Sequence, residues 1–336
     1  MEALPPARGP LTDVLLGRLR EEAQLGHEVV VEVDPRTDDD MHLALYLCYQ
    51  LHYGGLEGVS DGLEWDPAVL AFRSVLEAAF EDALLADVEV DPAPDGRPMV
   101  DQLRDVVRRD PGPGLATHLQ RAASLEQFRE FVLHRSTYHL KEADPFTWLI
   151  PRLAGGPKAA LVQIQADEYG GGDAGWMHSS LFAGTMAALD LDPLSGPPLA
   201  RIPGTTLAVT NLLSMFGLHR RLRGQCTGAL ALFEMTSCIP NRRYGDGLRR
   251  LGLGPDATRF FDEHVEADAV HEAVAATDLA GSLASQEDLG WEILFGAHAL
   301  QATEALAAEQ QLDAWNAGRS SLLPPSRPVR HLAAIR

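Results

Sequence analysis

A chain of 336 residues with 46% hydrophobic and 23% charged side chains can bury a large core, so it reads as a folded globular protein rather than a disordered one. Twenty-eight basic residues against 48 acidic ones leave a net charge of −20, which repels phosphate backbones and anionic lipid and argues against nucleic-acid and membrane partners. No apolar run reaches the roughly 18 residues of a spanning helix, and the first residues lack the pattern of a secretory signal. Cys48, Cys226 and Cys238 are scattered and form no CxxC pair; a cytoplasmic protein without disulfides or a zinc knuckle is expected.

In chain order, residues 11–24 read as a helix, and the apolar run at 28–33 is ambiguous. The acidic run DPRTDDD precedes a long apolar helix, and aspartates there suit a helix N-terminus better than a binding patch. A helix is expected over 67–86, then a turn-rich loop up to Pro98. Over 124–141, Leu125, Phe128, Phe131 and Val132 recur with helical spacing. Residues 158–169 read as a helix stopped by Gly170, Gly171 and Gly172. Residues 205–222 and 224–237 form a nearly continuous apolar helical stretch, in which Gly217, Gly224 and Gly228 permit close helix approach and Pro240 marks the end. Helices over 257–276 and 292–311 follow, then a short basic tail. Period-two alternation is lacking beyond 28–33, so the class is all-α.

The segment FFDEHVEADAVHE, residues 260–272, carries the chemistry. His264, Asp268 and His271 stand at i, i+4 and i+7, which places them within about 60° of one another on one helix face. Two imidazoles and a carboxylate aimed one way suit a first-row transition metal, although a solvated acidic helix with scattered histidines has the same composition. Upstream, Glu142, Glu168 and His178 add two carboxylates and a third imidazole. Six such groups exceed what one ion needs and match two irons or manganeses in a helical bundle.

Together these residues resemble the iron-containing redox enzymes of the haem-oxygenase-like diiron oxidase superfamily. Glu142, Glu168 and His178, followed by His264, Asp268 and His271, match its ligand order, and the phrases LKEADPFTWLIPRL, ALVQIQADEYGGG, LHRRLRG, LFEMTS and HVEADAVHE carry the likeness over about residues 125–300. The resemblance implies a haem-oxygenase-like bundle over 121–315; the chain's own patterning adds N-terminal helices over 1–120, expected to pack on it, and a flexible tail over 316–336. It further implies two Fe(II) ions, with Mn as a substitute, dioxygen, an external electron donor and a small-molecule substrate. The reaction would be N-oxygenation, C–C cleavage or oxidative decarboxylation. A homodimer is left open. The alternatives are a haem-binding or haem-degrading helical protein, a metal-binding helical protein without redox turnover, and a metal-free helical hydrolase.

Around this set, Glu234 is an acid inside an apolar helix and needs an arginine, a metal or a proton. Tyr169 adjoins Glu168. Arg220, Arg221 and Arg223 concentrate positive charge that clamps a carboxylate if it faces the pocket, and that otherwise pairs with surface acids. His134 and His139 have no partner at ligand spacing and read as core or surface histidines. No GxSxG elbow, phosphate loop or dinucleotide fingerprint occurs.

Overall fold

The computed structural model describes residues 2–25, 31, 33–90, 96–109, 112 and 114–325, with the side chains of 268–270 also outside the description. Helices begin where side chains satisfy the free amides of the first turn. Helix α1 (Pro10–Leu19) takes its cap from elsewhere in the chain: the Asp40 carboxylate accepts from the Leu11 and Thr12 amides at 2.8 and 3.0 Å. Asp38 caps α2 (Asp39–Gln50), and Asp66 caps α3 (Pro67–Asp87). The acidic run at 34–40 is therefore capping material, as its composition suggests.

Two shorter helices follow, α4 (Met99–Arg109) and α5 (Leu115–Arg121). Ser124 and Gln127 form a capping box at the start of α6 (Leu125–His139). Next come the single turn α7 (Asp144–Thr147), α8 (Gly155–Glu168) and α9 (His178–Ala188). The apolar stretch then resolves into α10 (Gly204–Leu218), a 3-10 turn at Arg220–Leu222 and α11 (Arg223–Thr236).

Pro240 does not end the helical run. It lies within the first turn of α12 (Cys238–Arg250), where its missing N–H has no intrahelical partner to lose. Helix α13 (Pro255–Ala273) passes into a π-helical segment, Val274–Gly281, followed by α14 (Ser282–Gln286) and α15 (Gly290–Asn316). No β-strand occurs among the described residues, where the isolated bridge between Glu2 and Leu56 is the whole of the β-pairing. The ambiguous run at 28–33 and the end of the tail fall largely outside the described residues.

The helices pack so closely that backbone meets backbone. At Gly228 of α11 an added Cβ would lie 1.8 Å from the Ile293 carbonyl oxygen of α15. One apolar core joins the N-terminal helices to α10, α11 and α15 through residues such as Leu16, Leu45, Phe80, Leu213 and Leu300. A second, aromatic core of Phe128, Phe131, Phe182, Phe260 and Phe261 lies between α6, α9 and α13. Each such phenyl ring contributes roughly 1.5–3 kcal/mol by leaving water, and this core forms one wall of the site described below. No helix among the described residues is long and apolar enough to cross a membrane.

Candidate metal centre

Glu142 lies in the turn after α6, Glu168 is the last residue of α8, and His178 is the first residue of α9. Gly170 lets the chain double back between the last two. Its φ is +64°, and a Cβ there would meet the Met177 amide nitrogen at 2.6 Å. His264 and His271 come from α13, and Glu234 from α11.

These side chains converge into two groups of three. Glu142, His178 and His264 form one and Glu168, Glu234 and His271 the other, with the donor atoms of each group within 4.8 Å of one another. Glu142 Oε1 lies 3.2 Å from both His178 Nδ1 and His264 Nε2. Glu168 Oε2 lies 2.9 Å from His178 Nδ1, so the second group touches the first. His271 Nδ1 stands 3.4 Å from Glu234 Oε2. Glu142, His178, Glu234, His264 and His271 are all buried, and Glu168 nearly so.

Five of the six ligand positions expected from the sequence are thus brought together. The sixth, Asp268, lies on α13, but its side chain is outside the described residues. Glu234, the buried acid that needs an arginine, a metal or a proton, faces His271, because α11 packs that face toward α13.

Burial and mutual charge perturb these groups strongly. Burial opposes charge on the imidazoles, but Glu168 and Glu142 outweigh it and lift His178 to about 11. Glu142 similarly raises His264 to about 9, and Glu234 with Asp167 raises His271 to about 9. The Glu142 carboxyl is buried yet held well below the ordinary range by His139 and His264. Burial, reinforced by the negative charge of Glu168, raises Glu234.

Despite these short approaches, Glu142 Oε1, His178 Nδ1 and His271 Nδ1 are buried without a hydrogen-bond partner. Buried polar atoms seldom go unsatisfied. Buried carboxylate and imidazole atoms gathered within 4.8 Å of one another fit a divalent cation, and mixed imidazole and carboxylate donors suit iron or manganese.

Residues 129–305, just over half of the chain, match the sequence model of the iron-containing redox enzymes. The chain belongs to that family. None of the curated proteins matches it. The matched segment contains every side chain of both groups, and the all-α fold is the one this family membership calls for.

A cavity of about 70 Å³ adjoins both groups, bordered by Glu142, Glu168, Glu234 and His264 and further lined by Tyr138, Phe146, Phe233, Gln165, Asn241 and Arg135. Tyr169, Arg220 and Arg223 are not among its lining residues. The Tyr169 hydroxyl donates to Asp144 at 2.8 Å and meets Thr147 Oγ1 at 2.9 Å. Arg223 pairs with Glu287 and Arg221 with Glu81, so surface acids absorb these cations.

His134 is a core residue held by Thr206 and Ser321. His139, by contrast, bonds the Glu142 carboxylate directly and rests on Phe182 and Phe260. It closes α6 three residues before Glu142 in the following turn, a spacing that puts two side chains together; that is the signal in the sequence. Arg135, Gln165 and Asn241 left no such signal, because they come to the cavity only through packing of separate helices.

Proposed function

We propose that the protein is a non-haem diiron oxidase that uses dioxygen to oxidise a small organic substrate. Two Fe(II) ions, with Mn(II) as a substitute, would be held by Glu142, His178 and His264 on one side and by Glu234 and His271 on the other. Glu168 lies where it touches both groups, and Asp268 on the metal-facing helix would complete the set. The observation that carries this reading is the pair of buried, adjoining triads with orphaned donor atoms. Bound iron would supply the redox chemistry.

The chain's own residues do the rest. The carboxylates offset the cationic charge, and the aromatic core of Phe182 and Phe260 keeps water from the His264 side. His264 Nδ1–H donates to the Phe260 carbonyl at 2.9 Å, leaving Nε2 to face the site. A cavity of about 70 Å³ favours non-haem iron over haem, since a macrocycle needs far more space. It also favours a small substrate, or the reacting end of a larger one. Arg135 is the cavity's one lysine or arginine among the described residues, and both of its terminal nitrogens are committed to Glu304 at 2.7 and 2.8 Å. With no free cation to clamp a carboxylate, an amine-bearing substrate is the better fit.

Anaerobic reconstitution with Fe(II), followed by metal analysis and oxygen-uptake measurement, tests the reading. The expected result is two irons per chain and substrate-dependent oxygen consumption, with iron lost in His264→Ala and His271→Ala while helical circular dichroism persists. A haem Soret band, or full iron content in both variants, would overturn it.

A further inference from the structure

We propose that Asp167 is a positioning residue that decides which nitrogen of His271 faces the metal. The two histidines of α13 then bind through different ring atoms, His264 through Nε2 and His271 through Nδ1. This inference rests on the diiron reading above and concerns a residue outside both triads.

Asp167 and Glu168 are consecutive at the C-terminal end of α8, and neighbours on a helix diverge by about 100°. Glu168 turns inward, whereas the Asp167 side chain stays 57% exposed and reaches His271 from the solvent side. Its Oδ2 lies 2.9 Å from His271 Nε2, with hydrogen-bonding geometry. An imidazole that binds a metal ion through one ring nitrogen carries its single N–H on the other. Once the carboxylate accepts that hydrogen at Nε2, the lone pair must lie on Nδ1. His271 Nδ1 is the atom that is buried without a hydrogen-bond partner, and it faces Glu234 at 3.4 Å.

At His264 the assignment is reversed. The Phe260 carbonyl accepts from Nδ1, and Nε2 is the atom that approaches Glu142 at 3.2 Å. The helix's own backbone fixes one ring and an outside carboxylate from α8 fixes the other. A backbone carbonyl four residues back is available to any helical histidine, so His264 needs no helper. His271 does not use that bond and depends on Asp167.

The test compares the wild type with Asp167→Ala, Asp167→Asn and, as a control, Gln163→Ala at an exposed position on the same helix. Iron content and affinity are measured after anaerobic reconstitution. Nitrogen-15 NMR of labelled histidines in the diamagnetic zinc-loaded proteins reads which ring atom is bound. Wild type and control should hold two metals, with His264 bound through Nε2 and His271 through Nδ1. Asp167→Ala should lose roughly 10–100-fold in affinity at one metal position only, the range for removal of an outer partner of a ligand, and its His271 should lose the Nδ1-only signature. Asp167→Asn keeps an acceptor oxygen and should restore most of both. Two metals at wild-type affinity in Asp167→Ala, or Nε2 ligation of His271 in the wild type, would overturn this inference while leaving the diiron reading intact. No metal in the wild type would overturn both.

Discussion

Replacing Glu142 or Glu234 by glutamine should have the same effect on metal binding and opposite effects on the metal-free protein. Glu142 stands among three imidazoles: His139, which bonds it directly, and His178 and His264, each at 3.2 Å. An amide there leaves His264 without its carboxylate partner and His178 with Glu168 alone, and breaking a buried ion pair from one side costs about 3–5 kcal/mol. Glu234 faces one imidazole, His271, which already has Asp167 as a second carboxylate partner. Burial and the nearby charge of Glu168 raise the Glu234 carboxyl above its ordinary range, so its ionised form is a liability that appears as pH rises past the unfolded value. Glu234→Gln keeps the shape and removes that liability. The metal-free variant should be as stable as the wild type or gain about 1 kcal/mol, in the range found when buried charges are neutralised without a loss of packing. In the metal-loaded protein each substitution removes a ligand and should weaken one position by at least about 100-fold, or roughly 2.7 kcal/mol. Urea denaturation of the metal-free proteins at neutral pH, paired with iron content after reconstitution, reads both quantities. If metal-free Glu234→Gln is destabilised as much as Glu142→Gln, or retains two irons at wild-type affinity, then Glu234 is a structural ion-pair partner and the ligand argument fails.

Gly228→Ala forces a methyl group against the Ile293 carbonyl, where no side chain can move aside. Overpacking of about 3 kcal/mol, less about 1 kcal/mol gained in helix propensity, predicts a net loss near 2 kcal/mol; an unchanged denaturation midpoint would show that α11 and α15 do not meet as described. Burial pushes His134 down to about 3, so between the unfolded value near 6.5 and that point the unfolded chain binds a proton the folded chain does not. Stability should therefore fall as pH drops below about 6.5, by up to roughly 1.4 kcal/mol per pH unit for this residue, and the slope should be shallower in His134→Asn; identical slopes in urea titrations would contradict this. Oxygen uptake by the iron-loaded enzyme across a panel of small amines and carboxylic acids should accelerate with amines, and acceleration by the acids alone would mean that a cation other than the committed Arg135 reaches the substrate.

The sequence alone determined the helices, which are written in short-range spacing, and pointed to most of the candidate ligands. Ser124 with Gln127, Asp38 and Asp66 announce helix starts through bonds to amides two or three residues away. His264 and His271 share a face of α13 through helical periodicity alone, and Glu142, Glu168 and His178 were recognisable in the motifs around them. What one face meets is a different matter, since it depends on how helices distant in the chain are packed. Tertiary structure decided that Glu234 joins His271 rather than an arginine, that Arg223 is spent on Glu287, and that the candidate ligands divide into two triads meeting at Glu168. It also decided that Pro240 opens α12 instead of closing the run before it, because proline forbids only a helix interior and a first turn has no amide bond to lose. Contacts such as His271 with Asp167 span 104 residues and leave no local trace, because they arise only when α8 and α13 are packed together.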